Sequence, residues 1–72
     1  MKVFVTGVGG QLGHDVMNEL KKRGMDAVGS DIFSSCEQYE KYIPMDITDA
    51  AQVEKVIGNV RPDAVIHCAA WT

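Results

Sequence analysis

Seventy-two residues, 46% hydrophobic and 24% charged with a net charge of −3, make at most one small domain with the composition of a soluble globular protein. The longest basic run, Lys21-Lys22-Arg23, is too short to suggest a nucleic-acid or membrane-surface partner; no apolar stretch nears the roughly 18 residues of a membrane span, and the N-terminus reads as a core strand rather than a signal peptide. Cys36 and Cys68 lack CxxC or histidine spacing for a metal, so both are expected as reduced thiols in a cytoplasmic protein.

Lys2 to Thr6 is a nearly continuous apolar run, the pattern of a parallel strand buried on both faces. Gln11 to Arg23 reads as a helix, with Leu12, Val16 and Leu20 at i, i+4, i+8 and Met17 widening the stripe. Asp15 and Glu19 precede the basic run, the order a helix dipole favours, and Gly24 is the expected C-cap. Met25 to Ser30 is a second, shorter strand containing Gly29. Ile32 to Lys41 has no period and is expected as loop with at most one helical turn. Tyr42 to Met45 is a third strand, where Pro44 requires an edge position. Thr48 or Asp49 caps a second helix whose stripe is Val53, Val56, Ile57 and Val60. Pro62 stops that helix, and Ala64 to His67 forms the last strand. Met17, Met25 and Met45 are simplest as core filler.

The first strand runs straight into Thr6-Gly7-Val8-Gly9-Gly10-Gln11-Leu12-Gly13, and Asp31 stands at the end of the second strand. Strand, glycine turn, helix, strand and acid is how a dinucleotide site is built. Gly7 lets the chain turn off the strand, Gly10 lets backbone approach a pyrophosphate, and Gly13 lets the helix press onto the strand. The helix N-terminus then offers free N–H groups and partial positive charge. A turn needing glycine only for packing does not explain the acid on the next strand. With right-handed crossovers the reading is an α/β, Rossmann-like, doubly wound parallel sheet of strand order 3-2-1-4.

Thr6-Gly7-x-x-Gly10-x-x-Gly13, Asp31, Asp46-Ile47 and His67-Cys68-Ala69-Ala70 together resemble the extended short-chain dehydrogenase/reductases. Within that superfamily, Gly10-Gln11-Leu12-Gly13 and Ala69-Ala70-Trp71-Thr72 look most like the dTDP-4-dehydrorhamnose reductases, which commonly read GANGQLGR and AAAYT there. The resemblance implies hydride transfer from NAD(P)H to the 4-keto group of a dTDP-deoxysugar, the last step of dTDP-L-rhamnose synthesis. It places Gly10, Gln11 and Leu12 at the pyrophosphate and Asp31 at the adenosine ribose, with Gly7, Gly13 and Ile32 also in the cofactor site. Asp46 and Ile47 would flank the adenine, and Ala69 and Ala70 would pass the pyrophosphate and nicotinamide ribose. Three positions depart from the pattern: Gly9 stands for the usual Asn, His14 for a frequent Arg, and His67-Cys68 for a common Asn-Ala. The His-Cys-Ala-Ala form also occurs in nucleotide-sugar epimerases.

Asp31 accepts from both ribose hydroxyls and repels a 2′-phosphate, so NADH is the expected preference, with NADPH tolerated. The family's chemistry uses a Ser/Thr and a Tyr-x-x-x-Lys pair. Here Ile43 follows Tyr39 at that spacing and Asp46 follows Tyr42. The expectation is therefore the N-terminal part, residues 1–72, of a nicotinamide-binding domain whose chemistry lies further along a longer enzyme. Alone it is expected to be inactive and weakly folded, or assembled as a homo-oligomer through an open sheet edge. Two alternatives stand beside the reductase: a nucleotide-sugar epimerase or dehydratase, and a non-catalytic nucleotide-binding regulatory subunit. His14 is expected to face solvent and His67 to be packed and hydrogen-bonded. Trp71 reads equally as nicotinamide wall or packing, Asp46 can also cap the following helix, and Cys68 has no activating base beyond His67.

Overall fold

The computed structural model describes residues 1–33, 39 and 41–68. Among these, β1 (Lys2–Thr6), α1 (Gln11–Lys22), β2 (Asp26–Asp31), β3 (Tyr42–Pro44), α2 (Ala50–Val60) and β4 (Ala64–His67) follow one another. The four strands form one sheet ordered β3-β2-β1-β4, and every pairing is parallel. This is the expected order, and β3 with its Pro44 lies on the edge.

Alternation along β1 divides the core in two. Val3 and Val5 pack with Val8, Met17 and Leu20 on the α1 side. Phe4 packs with Val28, Met45 and Val60 on the α2 side. The helices therefore cover opposite faces, as right-handed crossovers on either side of β1 require. Each fully buried side chain of this kind is worth about 1.5–3 kcal/mol over leaving it exposed.

The buried face of α1 differs from the expected stripe. Gly13, Met17 and Leu20 are buried and Val16 only partly, while Leu12 is 63% exposed. The helix is turned so that the side lacking a Cβ at residue 13 meets the turn, and Leu12 is carried out toward the strand ends. Its first turn holds no acid, since Asp15 comes too late, although Lys21 and Lys22 occupy the last turn as expected. The helix ends one residue early, at Lys22, in a Schellman arrangement. Gly24 N–H donates to Lys21 O, and Met25 N–H donates to Leu20 O, with Gly24 at φ 72°. Met25 is thereby part of the cap, and β2 begins at Asp26.

Asp49, of the two expected candidates, caps α2: its side chain accepts from Gln52 N–H at 3.2 Å. The stripe holds, with Val60 buried and Val53, Val56 and Ile57 packed against the second cluster. Lys2 reaches from β1 to donate from Nζ to Val60 O at 3.1 Å, supplying a cation to a helix end with no basic residue in its last turn. No helix among the described residues is long and apolar enough to cross a membrane.

Candidate functional site

All four strands point their C-terminal ends the same way. Thr6, Asp31 and His67 therefore sit at one rim of the sheet, where open α/β sheets hold ligands. The chain leaves β1 through Gly7, at φ 74°, a conformation side chains rarely adopt. Gly10 N–H returns to Gly7 O at 3.2 Å, and Val8 N–H reaches Ser30 O at 3.2 Å. The turn is thus tied both to itself and to the end of β2.

The glycines of this turn have different reasons. A Cβ on Gly13 would lie 2.2 Å from Gly7 O and 2.7 Å from Val8 Cα, so packing of α1 on the turn alone requires glycine. Gly10 is otherwise. Its φ of −92° suits any residue, and a Cβ there would meet only Gly7 O, at 3.6 Å. Neither backbone nor packing calls for glycine at residue 10, and it is exposed at the start of α1, where no side chain caps the helix.

In front of it lies a cleft of about 470 Å³. Gly7, Gly10, Gln11, Leu12 and Gly13 form one wall, Asp31 and Ile32 another, and Ile47 closes it from beyond β3. Ser30, Met45 and Cys68 also line it, and sequence reasoning did not place them there. Met45 was legible only as core, and it is 2% exposed; it serves both. Ser30 is held by a hydrogen bond from its Oγ to Ile43 O at 2.7 Å. A second cleft, of about 340 Å³, lies behind the C-terminal end of α1, between Met17, Lys21, Asp26 and Lys41, away from the glycine turn.

Asp31 presents its carboxylate between turn and cleft. Oδ2 accepts from Gly9 N–H at 2.8 Å, and Oδ1 accepts from Ile32 N–H at 2.7 Å. A carboxylate has about four lone-pair sites, so both oxygens retain capacity for a ligand. Asp46 is not part of the cleft wall. Its Oδ1 accepts from Thr48 Oγ1 at 2.7 Å and Thr48 N–H at 2.9 Å, and these bonds hold its carboxyl below the ordinary aspartate value of 3.8. It shapes the turn before α2 but does not cap that helix as expected, because the cap is Asp49. Ala69, Ala70, Trp71 and Cys36 lie outside the described residues.

His14 does not face solvent as expected. Tyr39 Oη donates to Val8 O at 2.8 Å, so His14 Nδ1 donates to Tyr39 Oη at 3.1 Å, and His14 Nε2 accepts from Asn18 at 3.1 Å. His67 is exposed rather than packed, yet hydrogen-bonded as expected, Nδ1 to Thr6 Oγ1 at 2.8 Å. Burial pushes the Cys68 thiol up, away from nucleophilic use. Among the described residues no group of His, Cys, Asp and Glu is arranged to hold a metal ion.

Strand order, the TGxxGxxG turn and Asp31 at the tip of β2 put the chain among the extended short-chain dehydrogenase/reductases. Within them it belongs to the RmlD substrate binding domain family, whose profile matches residues 1–72. It is 36% identical over 71 residues to dTDP-4-dehydrorhamnose reductase of Streptomyces griseus, covering 96% of this chain and 19% of that protein. Its fold superposes on the enzyme WbmH of Bordetella bronchiseptica, solved in complex with NAD+, with TM-score 0.79 and 37% identity, over 99% of this chain and 26% of that one. For UDP-glucose 4-epimerase of Thermus thermophilus in complex with NAD the TM-score is 0.87 and the identity 28%, over 100% and 25%. The chain spans about a fifth to a quarter of the length of the curated relatives it matches.

Proposed function

We propose that this chain binds the adenosine and pyrophosphate of NAD(H) for an oxidoreductase acting on a nucleotide sugar. The reductase of a dTDP-4-keto-6-deoxysugar is the favoured case. The observation that carries the reading is Gly10. It is a glycine with no conformational or packing need, exposed at an uncapped helix start and facing a cleft of nucleotide dimensions. Beyond the modest advantage of glycine over alanine at an N-cap, a close-approaching ligand is the reason left for its missing side chain.

The residues fit the group. Backbone at Gly10, Gln11 and Leu12 would take the pyrophosphate at the positive end of α1, which has no acid in its first turn to oppose it. Gly7 and Gly13 set the turn against the helix. Asp31 would accept the ribose hydroxyls, with Ile32 beside it. Met45 and Ile47 offer an apolar wall for the adenine, and Asp46 stands next to it. Ala69 and Ala70 would continue the cleft toward the nicotinamide. When bound, the nicotinamide supplies the hydride; the residues described here hold and orient it. The rhamnose-type reductase assignment draws support from the family and from the Streptomyces relative.

Calorimetric titration of NADH into the protein as expressed from its gene, beside its Gly10→Val variant, tests the reading. Binding to the parent and none to the folded variant is the expected result, because a branched side chain would fill the pyrophosphate's place. Undiminished binding by the variant refutes it.

A second reading is favoured by the fold match to UDP-glucose 4-epimerase and by His67-Cys68. An epimerase returns its hydride to the sugar and consumes no NADH in net terms, whereas a reductase oxidises one NADH per sugar. Absorbance of NADH during turnover separates the two.

A further inference from the structure

Phe33 follows the tip of β2 and belongs to neither core cluster. It is 54% exposed, yet its main chain is fixed, since Tyr42 Oη donates to Phe33 O at 2.6 Å. Its ring lies over Gly9. A Cβ on Gly9 would come 2.7 Å from Cε2 and 3.2 Å from Cδ2 of the ring, and 2.8 Å from Asp31 Oδ2. Ring edge and carboxylate oxygen thus converge on the space that a side chain at residue 9 would occupy.

We infer that Phe33 is a specificity-determining residue: its ring, seated over Gly9 against Asp31, closes the side of the ribose site where a 2′-phosphate would have to stand. The inference deepens the NAD(H) reading and rests on it. A 2′-phosphate would add nearly two negative charges at this point. It would meet the Asp31 carboxylate and an apolar ring, and no Lys or Arg stands among the described residues that line the cleft. His14 is turned away, into its bonds with Tyr39 and Asn18. Discrimination here comes from a repelling charge and a filled space together, the negative element that specificity generally needs.

The test is the ratio of NADPH to NADH dissociation constants, measured by calorimetry on the protein as expressed from its gene. Phe33→Ala is expected to lower that ratio about tenfold, mainly by tighter NADPH binding, because one of two exclusion devices is removed. Phe33→Tyr keeps the ring and is expected to keep the parent ratio. Phe33→Leu gives an intermediate fall and replaces the alanine variant should that one unfold. A parent that binds NADH, with the same ratio in the Ala and Leu variants, overturns the role of Phe33 alone. So does a ratio that falls only because NADH is lost. A parent that binds neither nucleotide overturns the nucleotide reading itself.

Discussion

Gly13 and Gly10 belong to one turn, yet alanine at each should do opposite things. At Gly13 the new Cβ would stand 2.2 Å from Gly7 O and 2.7 Å from Val8 Cα. Restoring a contact of about 3.5 Å means moving the start of α1 by roughly 1 Å. The obstacle is backbone, so no side-chain rotation relieves it. Overpacking of this kind costs about 3 kcal/mol at the upper end of its usual range. Alanine returns about 1 kcal/mol in helix propensity, which leaves a net loss near 2 kcal/mol. Native domains are generally stable by only about 5–15 kcal/mol, so the loss is large. With a urea slope of about 1–2 kcal/mol/M, the unfolding midpoint should fall by about 1–2 M. Gly10→Ala meets nothing nearer than 3.6 Å and costs only the difference between glycine and alanine at an N-cap, about 0.5–1 kcal/mol. Its NADH affinity should nevertheless drop. Urea unfolding with a fluorescence or circular dichroism signal, followed by nucleotide titration, reads both effects. Equal midpoints for Gly13→Ala and the parent, or equal losses at the two glycines, refute the division of roles.

Two further outcomes concern titration. The Asp46 carboxyl is held below 3.8 by Thr48 Oγ1 first and Thr48 N–H second; its contribution to stability is therefore present above that value and lost as pH falls through the lower folded one. Unfolding midpoints at about pH 6 and about pH 3 should differ less in Thr48→Val than in the parent, and identical differences would show that the turn is indifferent to this bond. Burial raises the Cys68 thiol, so alkylation at about pH 8 should be slower than for free cysteine. Because Cys68 lines the cleft, NADH should slow it further. Peptide mapping of the labelled protein decides, and fast labelling unaffected by NADH contradicts both points.

Much of the architecture was legible because strands announce themselves as apolar runs. Lys2 to Thr6, buried from Val3 onward, and Ala64 to His67, a half-exposed edge strand, needed no correction, and Pro44 correctly marked an edge. Boundaries failed where hydrogen bonding outranked hydropathy. Met25 is apolar but its N–H closes the cap of α1, while Asp31 is charged but remains in the strand because Met45 N–H bonds its carbonyl. The face of α1 was misread for a related reason. A buried glycine carries no hydrophobic signal, so the apolar stripe centres on Leu12, although the glycine spacing already marked Gly13 as the point where the helix presses onto the strand. The cleft was largely legible, since Gly7, Gly10, Gln11, Leu12, Gly13, Asp31, Ile32 and Ile47 all line it. Contacts bridging distant segments were not: nothing local pairs His14 with Tyr39, or seats Phe33 over Gly9.

Those long-range contacts bear on how the site binds. Three hydrogen bonds from two separate segments, the tip of β2 and Tyr39, restrain the glycine turn. Asp31 takes Gly9 N–H, Ser30 O takes Val8 N–H, and Tyr39 Oη donates to Val8 O. A turn rich in glycine has the most conformational freedom to lose, and ordering it on binding would diminish affinity. Here the ordering is done by folding, so an incoming pyrophosphate meets N–H groups already in place. On the proposed reading Asp31 would be two things at once: the acceptor offered to a ribose and the strut that holds the turn facing the phosphates. Removing its carboxylate should consequently weaken binding of adenosine-free pyrophosphate as well as of NADH, an effect that a ribose-only role does not produce.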